Sequence, residues 1–275
     1  MMRALCIVAA KTLLVISILT LTLNARATNS DSVHVAVASN FTSTFIKLKT
    51  HFENANGHRI KVSYGSSGVL YAQINNGAPF DVFLSADSDR PDKLIRESLA
   101  SRQHSFIYAK GQLALWTGNT SVKTMGEQTL KQHNTWLQSN FKLAIANPKL
   151  APYGRASVET LISLNVPKDY RKHLIYGQNI AQTYQFVVSG TVNAGFIALP
   201  QILSMPEQQR GIYWIVPSSY HSSIHQKAVL LNQAKQSVPA RQFLDFLQSE
   251  IATQIISKSG YLTDAPEEQP QVTTL

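Results

Sequence analysis

From Val33 onward the chain alternates short β-branched or apolar runs with stretches that carry a single apolar stripe at helical spacing. Alternation of this kind feeds strands into a sheet through crossover helices, so it restricts the chain to an α/β fold with mostly parallel strands. The first unit sets the pattern. "VHVAVAS" (Val33 to Ser39) reads as a strand, and Phe41, Phe45, Leu48 and Phe52 then form one buried face of a helix. "NANG" closes that helix, with Gly57 suited to the left-handed residue beyond a helix end, and "HRIKVSYG" begins the next strand. Helices from about Gly68 to Asn75 and from about Arg90 to Ser98 flank the strand in "FDVFLSA". After "SFIYAKGQLALWT" (Ser105 to Thr117) a second set follows: strand "KLAIAN", helix Tyr153 to Leu164, strand "HLIYG", helix Ile180 to Ser189 and strand "AGFIAL". Two similar sets predict two lobes, lobe I over 31–110 and lobe II over 111–226, with 227–264 returning to complete lobe I.

The ends of the chain read differently. Arg3 and Lys11 precede the apolar run "LLVISILTLTL" (Leu13 to Leu23), and Ala25-Arg26-Ala27 follows it. The run is shorter than the ~20 apolar residues a spanning helix needs and ends in a small-residue cleavage pattern, so 1–27 is expected to be a cleaved secretory signal peptide. The single cysteine, Cys6, lies within that leader, so the mature chain has no disulfide, thiol chemistry or cysteine-bound metal. Residues 265–275, "APEEQPQVTTL", lack apolar periodicity and are expected to form a loose tail. The net charge of +9 includes Arg3, Lys11 and Arg26 of the leader. The other basic residues are scattered and form no block interleaved with aromatics, so no nucleic-acid partner is expected and attraction of small anions is the better use of the charge.

Four strand-to-helix junctions share one chemistry: "ASNFT" (Ala38 to Thr42), "YGSSG" (Tyr64 to Gly68), "APYGRAS" (Ala151 to Ser157) and "GQNIAQ" (Gly177 to Gln182). Each sets small or polar residues at the carboxyl end of a strand, the edge where open α/β sheets bind ligands. Helix starts there offer unpaired N–H groups and the positive end of the helix dipole, so several converging on one point hold an anion without a full positive charge. The competing reading makes Ser39, Asn40 and Ser67 ordinary N-caps. A hydrolase is disfavoured: "GSSG" is not the G-x-S-x-G elbow, and no S-x-x-K with K-T-G is present. His221 and His225 in "SSYHSSIH" lack a glutamate partner for a metal, while Asp81 and Asp87 read as strand-end or cap residues. The chain is therefore expected to be a binding protein, not an enzyme, with no cofactor.

"VAVASNFTSTFIKL", "YGSSGVLYAQINNGAPFDVFLSAD", "NPKLAPYGRA" and "GQNIAQTYQFVVSGTVNAGFIAL" resemble the periplasmic molybdate-binding proteins of molybdate ABC transporters, from about Val33 to Tyr261. The resemblance implies a two-lobed periplasmic-binding-protein fold that closes on molybdate, and also on tungstate, in the cleft between lobes. It further implies a monomer in the periplasm that delivers the oxyanion to an ABC permease, with molybdenum present only inside the oxyanion and no protein side chain bound to the metal. Carried onto this chain, the oxyanion contacts fall on Ser39, Asn40 and Ser67, on the backbone at Ala86, and on Tyr153 and the backbone N–H of Ile180. Asn40 stands where some relatives have serine. Some relatives also carry a tyrosine at the position matching Ala198 and an alanine at that of Tyr153, so the resemblance implies that Tyr153 compensates for the missing hydroxyl. Sulfate, with the same charge and shape, is the alternative ligand, and size must separate the two.

Overall fold

The computed structural model describes residues 32–119, 124–131 and 141–263; the expected leader over 1–27 and the tail over 265–275 lie outside them. In chain order the first elements are β1 (Ser32–Ala38), a 3-10 turn (Ser39–Phe41), α1 (Thr42–Asn56), β2 (Arg59–Gly65), α2 (Ser67–Asn75), β3 (Val82–Ser85), α3 (Asp89–Arg96) and β4 (Ala100–Gly111). Then come β5 (Leu113–Thr117), α4 (Glu127–Lys131), β6 (Leu143–Ala146), α5 (Pro152–Ser163), β7 (Leu174–Gly177), α6 (Ile180–Val188), β8 (Ala194–Ala198), α7 (Leu199–Leu203) and β9 (Ile212–Ile215). The chain continues through β10 (Ile224–Leu231), α8 (Val238–Leu247) and α9 (Glu250–Lys258). Three helices begin one residue before their expected starts, at Ser67, Asp89 and Pro152. The first helical residue needs only helical dihedrals, which proline already has.

Two five-stranded sheets form, in the orders β2-β1-β3-β10-β4 and β7-β6-β8-β5-β9. In the first, β1 pairs in parallel with β2 (Val35 opposite Val62) and β3 (Val35 opposite Val82), whereas β10 is antiparallel to both β3 and β4. In the second, β6 pairs in parallel with β7 and β8, and β5 is antiparallel to β8 and β9. Both sheets are therefore mixed, with four strands running one way and one against them.

The opposed strands have a common cause. The chain passes from one sheet to the other between β4 and β5 and again between β9 and β10. Each crossing leaves the carboxyl edge of one sheet and enters at the carboxyl edge of the other, so the incoming strand must run backwards. The register agrees: Leu113 at the start of β5 lies opposite Ala198 at the end of β8, and Ile224 at the start of β10 lies opposite Gly111 at the end of β4. The carboxyl ends of the parallel strands of both sheets consequently flank the junction between two lobes.

Each sheet is covered on both faces. Val33, Val35 and Val37 pack with Phe41 of the 3-10 turn and Phe45, Leu48 and Phe52 of α1, all fully buried, while Ala36, Phe83 and Val229 pack with Leu70, Ile74 and Leu94 on the other side. Gly57 ends α1 at φ 71, and its N–H reaches Glu53 O; a side chain would be strained there. In the second sheet Leu115 and Ile145 face one cluster, and Ala114, Trp116 and Ile197 face the other. Among the described residues no helix is long and apolar enough to cross a membrane.

Candidate functional site

The four junctions of the sequence all lie at this edge, but their polar side chains divide the work differently from helix capping. The cap positions before the Ser39–Phe41 turn and before α1 are Ala38 and Phe41, and neither makes a side-chain cap bond. Ser66, not Ser67, caps α2, accepting the Val69 N–H at 3.4 Å. Ser39, Asn40 and Ser67 are thus buried polar side chains at helix starts that cap none of these helices, which overturns the ordinary-cap reading of them. The Ser67 hydroxyl accepts the Ala86 N–H at 2.9 Å. That contact uses an oxygen lone pair and leaves the serine proton to be donated elsewhere.

On the other lobe, Asn179 caps α6 by accepting the Gln182 N–H at 3.0 Å, so Ile180 is the first helical residue and its N–H has no acceptor within the helix. Gln201 secures this start from α7, donating to Ile180 O at 3.2 Å and accepting from Ala198 N–H at 3.0 Å. Helix α6 lies against the Ser39–Phe41 turn of the opposite lobe. Ala38, Ala86, Tyr153, Ile180 and Ala198 share one buried cluster that runs across the junction.

A polar network that the sequence reading missed lies behind these residues. Gln226 on β10, with no exposed surface, accepts Asn40 Nδ2–H at 2.9 Å and the Tyr108 hydroxyl at 3.1 Å through Oε1. Its Nε2 donates to the Tyr153 hydroxyl at 3.4 Å. Tyr261 clasps Asn40 twice, donating to its carbonyl at 2.8 Å and accepting its Nδ2–H at 3.1 Å. Burial drives the Tyr108, Tyr153 and Tyr261 phenols above their ordinary range, so all three stay protonated and neutral at physiological pH. One local signal pointed to this: in an alternating strand, Gln226 shares the inward face with Ile224 and Ala228.

The two lobes also touch along the rim. Gly68 N–H donates to Leu150 O at 2.9 Å, Arg90 Nη2 to Lys149 O at 3.1 Å, and Arg155 pairs with Asp89 at 3.0 Å. Asp87, next to Ala86, is buried but not free: it pairs with Arg90 and accepts the Ser85 hydroxyl at 3.0 Å. Asp81 likewise accepts the His34 N–H at 2.7 Å. A cavity of about 110 Å³ between the lobes is lined by Ala86, Asp87, Pro152, Arg155, Glu159 and Ile224 among others. His221 is exposed and bonded to Ser222 O, His225 lies on β10, and no cluster of three metal-ligating side chains occurs among the described residues.

Two mixed sheets with flanking helices, joined by two crossings and meeting at their ligand-binding edges, define a two-lobed solute-binding protein. Residues 33–262 match the family model for bacterial extracellular solute-binding proteins, and the chain belongs to that family. Within it, the chain is 38% identical over 238 residues to the molybdate-binding protein ModA of Azotobacter vinelandii, covering 86% of this chain and 92% of that protein. It is 38% identical over 232 residues to ModA of Rhodobacter capsulatus, covering 84% and 88%. The solved structure of the Azotobacter vinelandii periplasmic molybdate-binding protein superposes with a TM-score of 0.75 at 32% identity, over 85% of this chain and all of that one.

Proposed function

We propose that the protein captures molybdate in the cleft between its lobes and hands it to the permease of an ABC importer. The observation that carries this reading is the set of buried Ser39, Asn40 and Ser67 side chains at helix starts that they do not cap. The ligand class comes from the relatives at 38% identity over most of the chain.

In this reading lobe I supplies Ser39, Asn40, Ser67 and Ala86, and lobe II supplies Tyr153 and Ile180. Ser67 donates its hydroxyl proton, and Ala86 acts through it, because the Ala86 N–H already holds the serine oxygen. Both Asn40 Nδ2 hydrogens serve Gln226 and Tyr261, so Asn40 meets the anion through its backbone N–H. Neutral donors suit a fully ionised tetrahedral dianion: they offset lost hydration and contain no base that would require a proton on the ligand. The dianion bridges donors of both lobes, and the difference in affinity between open and closed forms drives hinge closure. Tungstate, of nearly the same size, binds as well. The protein works as a periplasmic monomer after removal of residues 1–27, uses no cofactor, catalyses no reaction and holds molybdenum only as the oxyanion.

Calorimetric titration of residues 28–275 with molybdate, tungstate, sulfate and phosphate, with small-angle scattering to follow closure, tests this reading. Tight binding of the first two with compaction is the expected result. A preference for sulfate would overturn the ligand, and no binding by any of the four would overturn the site.

A further inference from the structure

We propose that Gln226 is a positioning residue that, on closure of the lobes, turns the Tyr153 hydroxyl into a donor for the bound anion. The inference rests on the binding reading above and assigns a role to a residue outside its contact set.

A glutamine with no exposed surface on the inward face of a central strand is costly unless its amide is satisfied, and an apolar residue would fill the place at less risk. Here the amide is engaged at both ends. Oε1 takes protons from Asn40 and Tyr108, and Nε2 gives one to Tyr153. The local backbone is built for this. Gln226 lies opposite Ala109 and Lys227 opposite Ile107, so Tyr108 is the extra residue of a bulge on β4. Bulges re-aim side chains, and this one brings the Tyr108 hydroxyl to Gln226. The flanking Lys227 turns elsewhere, to Asp92 at 2.6 Å.

The direction of the chain of hydrogen bonds decides the chemistry. Tyr108 donates to Gln226, and Gln226 donates to Tyr153. With the Gln226 amide directed at its oxygen, the Tyr153 phenol is left with its own proton to give. Gly111 lies against the same hydroxyl, so the ring cannot retreat toward the crossover. Because Tyr153 comes from α5 of one lobe and Gln226 from the first sheet of the other, this donor is assembled only when the lobes close. Empty, open protein would lack it.

The test is a double-mutant cycle on molybdate affinity, with Gln226→Met, Tyr153→Phe and the pair, alongside the melting temperature of each ligand-free protein. Gln226→Met is expected to weaken binding about 10-fold or more in the wild-type background, the worth of a hydrogen bond to a charged group. In the Tyr153→Phe background it should have little further effect. Equal losses in both backgrounds, as general loosening of the lobe would produce, overturn the inference, as does unchanged affinity. Tyr108→Phe removes only the hydroxyl that orients Gln226 and is the gentler variant should Gln226→Met not fold; it too should lose affinity only where Tyr153 is present. Wild-type protein that bound no oxyanion would instead overturn the binding reading and this inference with it.

Discussion

The Ser66 hydroxyl accepts an N–H three residues ahead in its own helix, whereas the adjacent Ser67 hydroxyl accepts the Ala86 N–H from beyond β3. On the proposed binding reading, these two neighbouring serines separate stability from binding. Ser66→Ala should cost about 0.5–2 kcal/mol of stability, as loss of an N-cap does, and leave molybdate affinity near wild type. Ser67→Ala should weaken molybdate binding on the order of 10-fold or more, because a buried oxyanion loses a donor. Denaturant unfolding and calorimetry on both variants check the pair. Unchanged affinity in Ser67→Ala would remove Ser67 from the site.

At the scale of elements, the end of β4 at Gly111 runs directly against Tyr153 of the other lobe. A Cβ at Gly111 would lie 2.3 Å from the Tyr153 hydroxyl oxygen and 3.0 Å from Gln226 Nε2, so the residue is glycine because a phenol occupies the space. Gly111→Ala must displace the end of the Tyr153 side chain. Weaker molybdate binding and a less compact ligand-bound form in small-angle scattering are expected. If affinity and compaction stayed at wild-type values, Tyr153 would not be held where it counts. The rim contacts matter less: the Asp89 and Arg155 side chains are 72% and 48% exposed, and pairs so exposed contribute about 0–1 kcal/mol.

For the whole molecule, the buried tyrosines tie stability to alkaline pH. Their folded pKa values lie above the ordinary 10.0, so the folded protein retains protons that the unfolded chain releases. Their contribution is fully present below pH 10 and is lost as pH rises from there toward the folded values. Tyr64, 39% exposed, is raised to about 12 by partial desolvation of its phenol and acts in the same direction. In an alkaline titration, tyrosinate absorbance from Tyr108, Tyr153 and Tyr261 should appear together with loss of far-ultraviolet circular dichroism. Their ionisation ahead of that loss would contradict the burial.

Local pattern was enough for much of this molecule. The Phe41 to Phe52 stripe, the stop at Gly57, the two α/β sets and the four polar junctions are all short-range features, and each corresponds to an observed element or junction. Periodicity reports which face of an element is buried, and turn chemistry reports where the element ends. Neither reports which distant groups meet. Asn40 reaches Gln226 across 186 positions and Tyr261 across 221, and Ser67 meets Ala86 in the loop beyond β3. The opposed direction of β5 and β10 likewise follows from crossings between sheets, not from any property of those strands. The sequence determined the elements and the kind of chemistry at their ends; only the tertiary structure decided which of the polar side chains cap, which meet a backbone N–H beyond another strand and which meet a buried amide, because those last are contacts between segments with no local relation.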